Sequence, residues 1–111
     1  MNGQFVFKHA VVRFSEAIIE GLQANNLKKE DIDMLIPHQA NLRISQFIQK
    51  KFQLTDDKVH NNIMKYGNTT AASVIIALTE AWELGRIKEG DLVVLAAFGS
   101  GFTWGSVMIR W

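Results

Sequence analysis

The stretch 33–44 constrains the fold more than any other part of the chain. Its apolar run 34–36 ends at Pro37, the only proline in the sequence. A histidine, two amides and an arginine follow, and a helical pattern begins at about Asn41, a good N-cap residue. This order predicts a buried strand that presents His38 at its carboxyl end. Because ligands of open α/β sheets bind outside the carboxyl ends of the strands, we expect the functional site here.

Composition excludes several classes of function. The 111 residues suffice for one domain, with 48% hydrophobic and 21% charged residues, as in ordinary globular proteins. A net charge of +1 recruits neither nucleic acid nor a membrane surface. The absence of cysteine excludes disulfides, thiolate zinc sites and a cysteine nucleophile within these residues, and it favours a reducing compartment. The longest apolar run, 92–98, is too short to span a membrane, and charged residues interrupt any signal-peptide pattern near the start. We therefore expect a cytoplasmic protein.

Hydrophobic periodicity predicts an α/β fold. The continuous apolar run 92–98 is typical of a parallel strand that is covered on both faces. The residues after the 99–101 turn alternate, which predicts a final antiparallel strand. The sheet should therefore be mostly parallel. The predicted elements are a helix at 6–24 after a break at Gly3, a strand at 32–36, a helix at 41–52 with Ile44, Phe47, Ile48 and Phe52 inward, a weak strand at 58–63, a helix at 69–84 ending at Gly85, and strands at 92–98 and 102–111.

Two features indicate that the chain is part of something larger. The helix at 69–84 begins with small, uncharged residues, so we expect it to be buried nearly all round. A helix of that kind needs a partner layer that 111 residues do not supply. The predicted order also begins with a helix, whereas a parallel sheet normally begins with a strand.

His38 and Asn68 are the candidate chemical groups, and each has a plainer interpretation. His38 could simply bond a backbone carbonyl at the end of its strand. Alternatively it donates a hydrogen bond in the crevice, where the dipole of the following helix keeps the imidazole neutral and one N–H can stabilise an oxyanion. Asn68 could be the N-cap of the third helix. If Thr69 or Thr70 caps that helix instead, the amide of Asn68 can reach a ligand.

Other patterns give weaker signals. A basic face of Lys8, Arg43, Lys50 and Lys51 is either a solvated surface or a landing site for an acidic partner or a phosphate. A serine hydrolase using Ser100 and His38 is disfavoured, because the G-x-S-x-G spacing is absent. The three histidines lack metal-ligand spacing, so no metal is expected.

Three segments carry a resemblance to a known family. Residues 36–44 (IPHQANLRI), 66–73 (YGNTTAAS) and 97–106 (AFGSGFTWGS) resemble the carboxyl-terminal half of 3-oxoacyl-[acyl-carrier-protein] synthase III, also called ketoacyl synthase III. Residues 1–8 are similar to that family's entry into this half. The resemblance covers the whole chain, 1–111. It implies the carboxyl-terminal half of a thiolase-like fold, in which two similar α/β halves form five layers.

The resemblance also implies an activity. The family joins an acyl-CoA primer to malonyl-carrier protein with loss of carbon dioxide, at the start of fatty acid biosynthesis. It uses a Cys-His-Asn triad without a cofactor, and His38 and Asn68 match the last two members. Those two side chains donate hydrogen bonds to the malonyl thioester oxygen as carbon dioxide leaves. Removing one such donor costs a factor of about 10² to 10³ in rate.

Further residues take roles by the same resemblance. Asn41 matches a residue that contacts the pantetheine arm, and Phe98 matches one that shields the site and orients the carboxylate. The basic face coincides with the family's docking patch for the acyl carrier protein, and the full-length enzyme is expected to be a homodimer. Ser100 replaces a frequent glycine. Because the cysteine-bearing half is absent, we expect these residues alone to be inactive; the alternative is a non-enzymatic module that binds a carrier protein.

Overall fold

The computed structural model describes residues 3–38, 42–62, 73–99 and 103–111. Short 3-10 turns lie at Lys29–Asp31 and Asp56–Lys58. Within these ranges no helix is long and apolar enough to cross a membrane. The helices and strands are α1 (Gly3–Ala24), β1 (Met34–Pro37), α2 (Leu42–Lys51), α3 (Ser73–Glu83), β2 (Leu92–Gly99) and β3 (Thr103–Arg110).

The strands form one mixed sheet in the order β1-β2-β3. β1 runs parallel to β2, with Leu35 opposite Val94, and β2 runs antiparallel to β3. The α/β class and the final antiparallel strand are therefore confirmed. Pro37 belongs to β1, one residue beyond the predicted end of that strand. α1 begins at Gly3, the residue at which we predicted a break.

The prediction of a weak strand at 58–63 is wrong for residues 58–62, which are the part of this segment that the structure describes. Only Val59 pairs, in a single parallel bridge with Leu35 on the free side of β1. A 3-10 turn ends at Lys58, just before this bridge. Two asparagines follow at 61 and 62, and asparagine fits poorly into a ladder. The pairing therefore stops after one residue.

Helices cover both faces of the sheet. On one face, α1 and α2 pack with Leu35 and Val94 over a core that includes Phe14, Ile18 and Ile48. On the other face α3 packs on Met34, Ile36 and Val93, through Ala77 and Ala81. Every residue of β1 is buried. β1 is therefore packed on both faces up to Pro37, the residue before His38.

One predicted burial is wrong. Phe47 was expected to face inward, but 51% of it is exposed, because it lies on the side of α2 opposite the buried Ser45 and Ile48. The first turns of α3 were expected to be buried nearly all round, in part by a layer from outside these residues. The helix buries Ser73, Ala77 and Ala81, while Ile75 and Trp82 are 60% and 56% exposed. No element within the described ranges covers that apolar face. α3 does end before Gly85 as predicted, and Gly85 has a positive φ of 73°.

At Gly21, α1 lies close against the side chains of β3. A Cβ atom at Gly21 would lie 2.3 Å from Met108 Cε and 2.8 Å from Ser106 Oγ. Met108 can move at its flexible end. The Ser106 hydroxyl, however, donates a hydrogen bond to the Ala17 carbonyl at 2.6 Å and would have to give it up. The helix therefore needs glycine here for space.

Gly21→Val is expected to lower the free energy of unfolding by about 1–3 kcal/mol, because it overpacks this contact. Urea denaturation of the 111-residue chain measures the loss. The control is Gly105→Val, since an added Cβ there meets nothing within 4 Å. We expect that change to be neutral or slightly stabilising, as valine suits a strand. Equal losses in both variants would contradict the close-approach explanation.

Candidate functional site

The carboxyl ends of β1 and β2 meet at one edge of the sheet, because these strands are parallel. Pro37 pairs with Ala96, and the backbone N–H of His38 donates to the Ala96 carbonyl at 2.7 Å. This bond fixes the backbone of His38 after the strand ends. The histidine therefore lies at the sheet edge that the sequence predicted.

The ring of His38 contacts the first residue of α3. Its Nδ1 atom forms a short hydrogen bond with the Ser73 hydroxyl, and Ser73 is only 1% exposed. Ser73 closes the second sequence motif, 66–73, whereas His38 belongs to the first. The third motif begins at Ala97 on β2, one residue after the carbonyl that holds His38. Parts of all three motifs therefore come together at this edge.

Burial lowers the pKa of His38 below its ordinary value of 6.5. The imidazole is therefore mostly neutral near pH 7. We expected a neutral ring from the dipole of the following helix. The loss of solvent around the ring is a further cause that favours the neutral form. A neutral imidazole that bonds through Nδ1 has Nε2 left to meet a ligand.

Several predicted site residues lie outside the described residues. Asn41, Asn68 and Ser100 are among them, and so is the side chain of Phe98. The backbone at Phe98 belongs to β2 and is paired with β3 near the carboxyl end of the strand. In the ranges that are described, no cluster of three or more His, Asp or Glu side chains could hold a metal ion.

The four basic residues are all exposed. Lys8 lies on α1, which contacts α2. The other three are on α2, whose sequence contains no acidic residue. Positions 43, 47, 50 and 51 fall within about 100° of the helix circumference. The half-exposed Phe47 thus shares its face with Arg43, Lys50 and Lys51.

A second polar group, which the sequence did not predict as a unit, lies beside β1. His60 is 3% exposed, and its backbone N–H donates to the Leu35 carbonyl at 3.1 Å. Its ring lies between Glu80, at 2.9 Å from Nε2, and Arg86, at 2.6 Å from Nδ1. Arg86 also donates to the carbonyl oxygens of Asp56 and Val59, at 2.9 and 3.1 Å. This cluster (His60, Glu80, Arg86) ties the segment before residue 63 to β1 and α3.

The partners of His60 determine its tautomer. A guanidinium can only donate, so Nδ1 accepts from Arg86. The ring proton is then on Nε2 and is donated to Glu80. Burial lowers the pKa of His60, and the charge of Arg86 lowers it further, whereas Glu80 raises it. The histidine is neutral in the folded protein near pH 7.

The cluster predicts acid-sensitive stability. Unfolded His60 binds a proton with a pKa near 6.5, and the folded residue does so only at lower pH. Between these two values the unfolded state binds more protons, so the free energy of unfolding rises with pH. The contribution is complete above pH 6.5 and is lost as the pH falls through that window.

Urea denaturation between pH 5 and 8 tests this expectation, with His60→Gln beside the parent chain. Glutamine can occupy the site but does not titrate. The parent should lose stability below about pH 6.5 more steeply than the variant. Parallel pH profiles for the two chains would rule out His60 as the source.

The roles of Ser73 and of the cluster around His60 were not predicted from the sequence, for one reason. Their partners are far apart in the chain, so no local pattern marks them. Ser73 stands within a quoted motif, but as one small residue of a helical run. His60 was weighed only as a metal ligand. Contacts between residues far apart in the chain determine their roles.

Comparison with known proteins gives one consistent family. Residues 22–111 match the model described as 3-oxoacyl-[acyl-carrier-protein (ACP)] synthase III C terminal. Over the whole chain, 56% of residues are identical to a beta-ketoacyl-[acyl-carrier-protein] synthase III of Caldanaerobacter subterraneus, and 50% over 99% of the chain to that of Campylobacter jejuni. The chain spans about a third of the length of these relatives, 34% in each.

Solved structures agree in fold. The synthase III of Aquifex aeolicus superposes with a TM-score of 0.96 at 45% identity, covering all of this chain and 36% of that one. The enzyme of Thermus thermophilus gives a TM-score of 0.95 at 44% identity, with 35% of its chain covered. The described elements are thus arranged as in one third of a thiolase-like synthase.

Proposed function

Because the chain belongs to the family of 3-oxoacyl-[acyl-carrier-protein] synthase III carboxyl-terminal domains, we propose that residues 1–111 form the carboxyl-terminal half of a condensing enzyme. The enzyme joins an acyl-CoA primer to malonyl-acyl-carrier protein at the start of fatty acid biosynthesis. These residues contain no cysteine, so the nucleophile that receives the acyl group comes from outside them. Their own contribution is to the second substrate.

That contribution is electrostatic. In the malonyl thioester the bond to the carboxylate breaks, carbon dioxide leaves, and the electron pair moves toward the thioester oxygen as an enolate. His38 and Asn68 each donate an N–H to this oxygen. The enolate carbon then attacks the acyl-cysteine carbonyl, and the thiolate leaves. Donors that are already in place stabilise such charge without reorganisation, and neither has to be charged.

One observation supports this proposal above the others. The ring of His38, at the carboxyl end of β1, bonds Ser73, which follows Asn68 by five residues in the chain. This contact joins the motif of His38 to the motif that contains Asn68, and it supports our assignment of both residues to one site. In the sequence, Asn41 follows the end of β1 by four residues, and Phe98 is the second-last residue of β2. We assign Asn41 to the pantetheine arm, and Phe98 to shielding the site and orienting the malonyl carboxylate.

The basic face of Lys8, Arg43, Lys50 and Lys51 is the proposed docking surface for the acyl carrier protein, which is acidic. The exposed Phe47 lies among three of these cations and offers an apolar contact, as interface centres often do. Cations at such a rim mainly speed association and lose effect in salt.

Reversing two of these charges is expected to weaken docking strongly. Arg43→Glu with Lys50→Glu should raise the Kd for the carrier protein at least tenfold, because two attractive pairs become repulsive. The control is Lys88→Glu, since Lys88 is exposed and belongs to neither α1 nor α2. Calorimetry at two salt concentrations measures both variants. An unchanged Kd for the double variant would remove the docking assignment.

The exposed apolar face of α3 with Ile75 and Trp82 is where we expect the other half of the fold to pack. The resemblance implies a homodimer of the complete enzyme. We place the enzyme in the cytoplasm, because the chain lacks cysteine and cytoplasmic proteins rarely rely on disulfides.

A chimera tests the proposed function. This chain replaces the matched third of the Caldanaerobacter enzyme, which retains its own remaining two thirds. The chimera should form 3-oxoacyl product from acyl-CoA and malonyl-carrier protein. The intact relative is the positive control. A folded chimera that takes up the acyl group but makes no product would contradict the proposal.

The absence of cysteine also suits a second candidate, a non-enzymatic module that binds a carrier protein. Both candidates predict that charge reversal on α2 weakens binding. They differ at His38, since the module gives it no chemical role. If the chimera bound carrier protein but stayed inactive with and without His38, the module would be favoured.

A further inference from the structure

Two of the hydrogen-bonding groups of His38, the backbone N–H and ring Nδ1, already have partners within the chain. The backbone N–H donates to Ala96, and ring Nδ1 bonds the hydroxyl of Ser73. The ring atom that can form a hydrogen bond with a substrate is therefore Nε2. Ser73 is 1% exposed and is the first residue of α3 in the described ranges, so the hydroxyl is held by a helix rather than by a loop.

Whether Nε2 carries the ring proton depends on whether the Ser73 hydroxyl donates to Nδ1 or accepts from it. A neutral imidazole carries one proton, and burial favours the neutral form of His38. If the hydroxyl donates to Nδ1, the proton is on Nε2, which can then donate to an oxyanion. If the hydroxyl accepts, the proton is on Nδ1 and Nε2 presents a lone pair, which would repel an enolate oxygen.

We propose that Ser73 is a positioning residue that donates its hydroxyl proton to His38 Nδ1 and so keeps the N–H of the ring on Nε2, aimed at the thioester oxygen. The inference rests on the proposed function, because only an oxyanion requires this tautomer. Ser73 itself does not touch the substrate. It performs for His38 the task that Arg86 performs for His60, where the donor can act in one direction only.

Nitrogen-15 chemical shifts of the 111-residue chain test the tautomer directly above pH 7, because the chain has three histidines. We expect a protonated Nε2 and a bare Nδ1 at His38. His60, which Arg86 fixes in the same tautomer, is the internal reference. In Ser73→Ala the shifts of His38 should move to values intermediate between the two tautomers. Ser73→Thr retains the hydroxyl and should restore the parent pattern.

Kinetics of the chimera provide the second readout. Ser73→Ala should lower kcat for condensation about tenfold, the effect of one lost hydrogen bond, with a smaller change in KM. The matched control is Ser15→Ala. Ser15 is also 1% exposed, but its hydroxyl bonds the Val11 carbonyl within α1. Ser15→Ala should leave the shifts of His38 and the rate unchanged.

Two results would overturn the inference. One is a proton on Nδ1 of His38 in the parent chain. The other is a Ser73→Ala chain whose His38 shifts match the parent and whose chimera condenses at the parent rate. An inactive parent chimera would instead count against the proposed function, and the shifts would still decide the tautomer.

Discussion

Replacing His38 by alanine in the chimera is expected to lower the rate of condensation about 10²- to 10³-fold. The variant would remove one of the two donors that we propose for the enolate oxygen, and single donors of this kind contribute that factor. The rate of product formation from malonyl-carrier protein measures the effect. Asn68→Ala should cause a loss of similar size. Removing both should cost less than the product of the two factors, because donors that act together are not additive.

The same variant should leave acyl transfer to the cysteine largely intact, because in our proposal the two donors act on the malonyl thioester. Mass spectrometry of the chimera after mixing with acyl-CoA supplies this control. If His38→Ala abolished acyl-enzyme formation but not the release of carbon dioxide, the assigned role would be wrong.

Arg86→Ala is expected to destabilise the chain by about 3 kcal/mol. The guanidinium satisfies Nδ1 of His60 and the carbonyl oxygens of Asp56 and Val59. Each hydrogen bond to a charged group is worth about 1.5–3 kcal/mol, and buried acceptors left alone cost more than exposed ones. Because Arg86 is partly exposed, water compensates for some of this loss. Urea denaturation at pH 7.5, where His60 is neutral, measures the change.

Arg110→Ala is the matched control. Arg110 is exposed and donates to a single backbone carbonyl, that of Gly90, at 3.0 Å. We expect this variant to lie within about 1 kcal/mol of the parent. Losses of equal size in the two variants would mean that the cluster around His60 contributes no more than an ordinary surface arginine.

The sequence predicted the elements in which one local pattern dominates. The apolar runs of β1 and β2 and the alternation in β3 were identified because burial on one or two faces imposes a fixed period. The exit of His38 from β1 follows from a proline at the end of an apolar run. The end of α3 follows from Gly85, whose positive φ suits glycine. These features require no knowledge of distant contacts.

The predictions fail where contacts with residues far away in the chain determine the structure. Phe47 fits the helical stripe of α2 by spacing, yet the sheet lies on the other side and the ring is exposed. Residues 58–63 have strand-like composition in part, but Val59 finds only one partner on β1. The bond from Ser73 to His38 joins residues 35 positions apart. Periodicity cannot report such contacts.

A crystal structure of the chimera with a malonyl thioester analogue tests the central claim most directly. The claim is that this chain aims His38 and Asn68 at one oxygen. We predict that His38 Nε2 and Asn68 Nδ2 both lie about 2.7–3.2 Å from the thioester oxygen. Side chains that point to different sides of the sheet, or an oxygen within reach of only one of them, would contradict it.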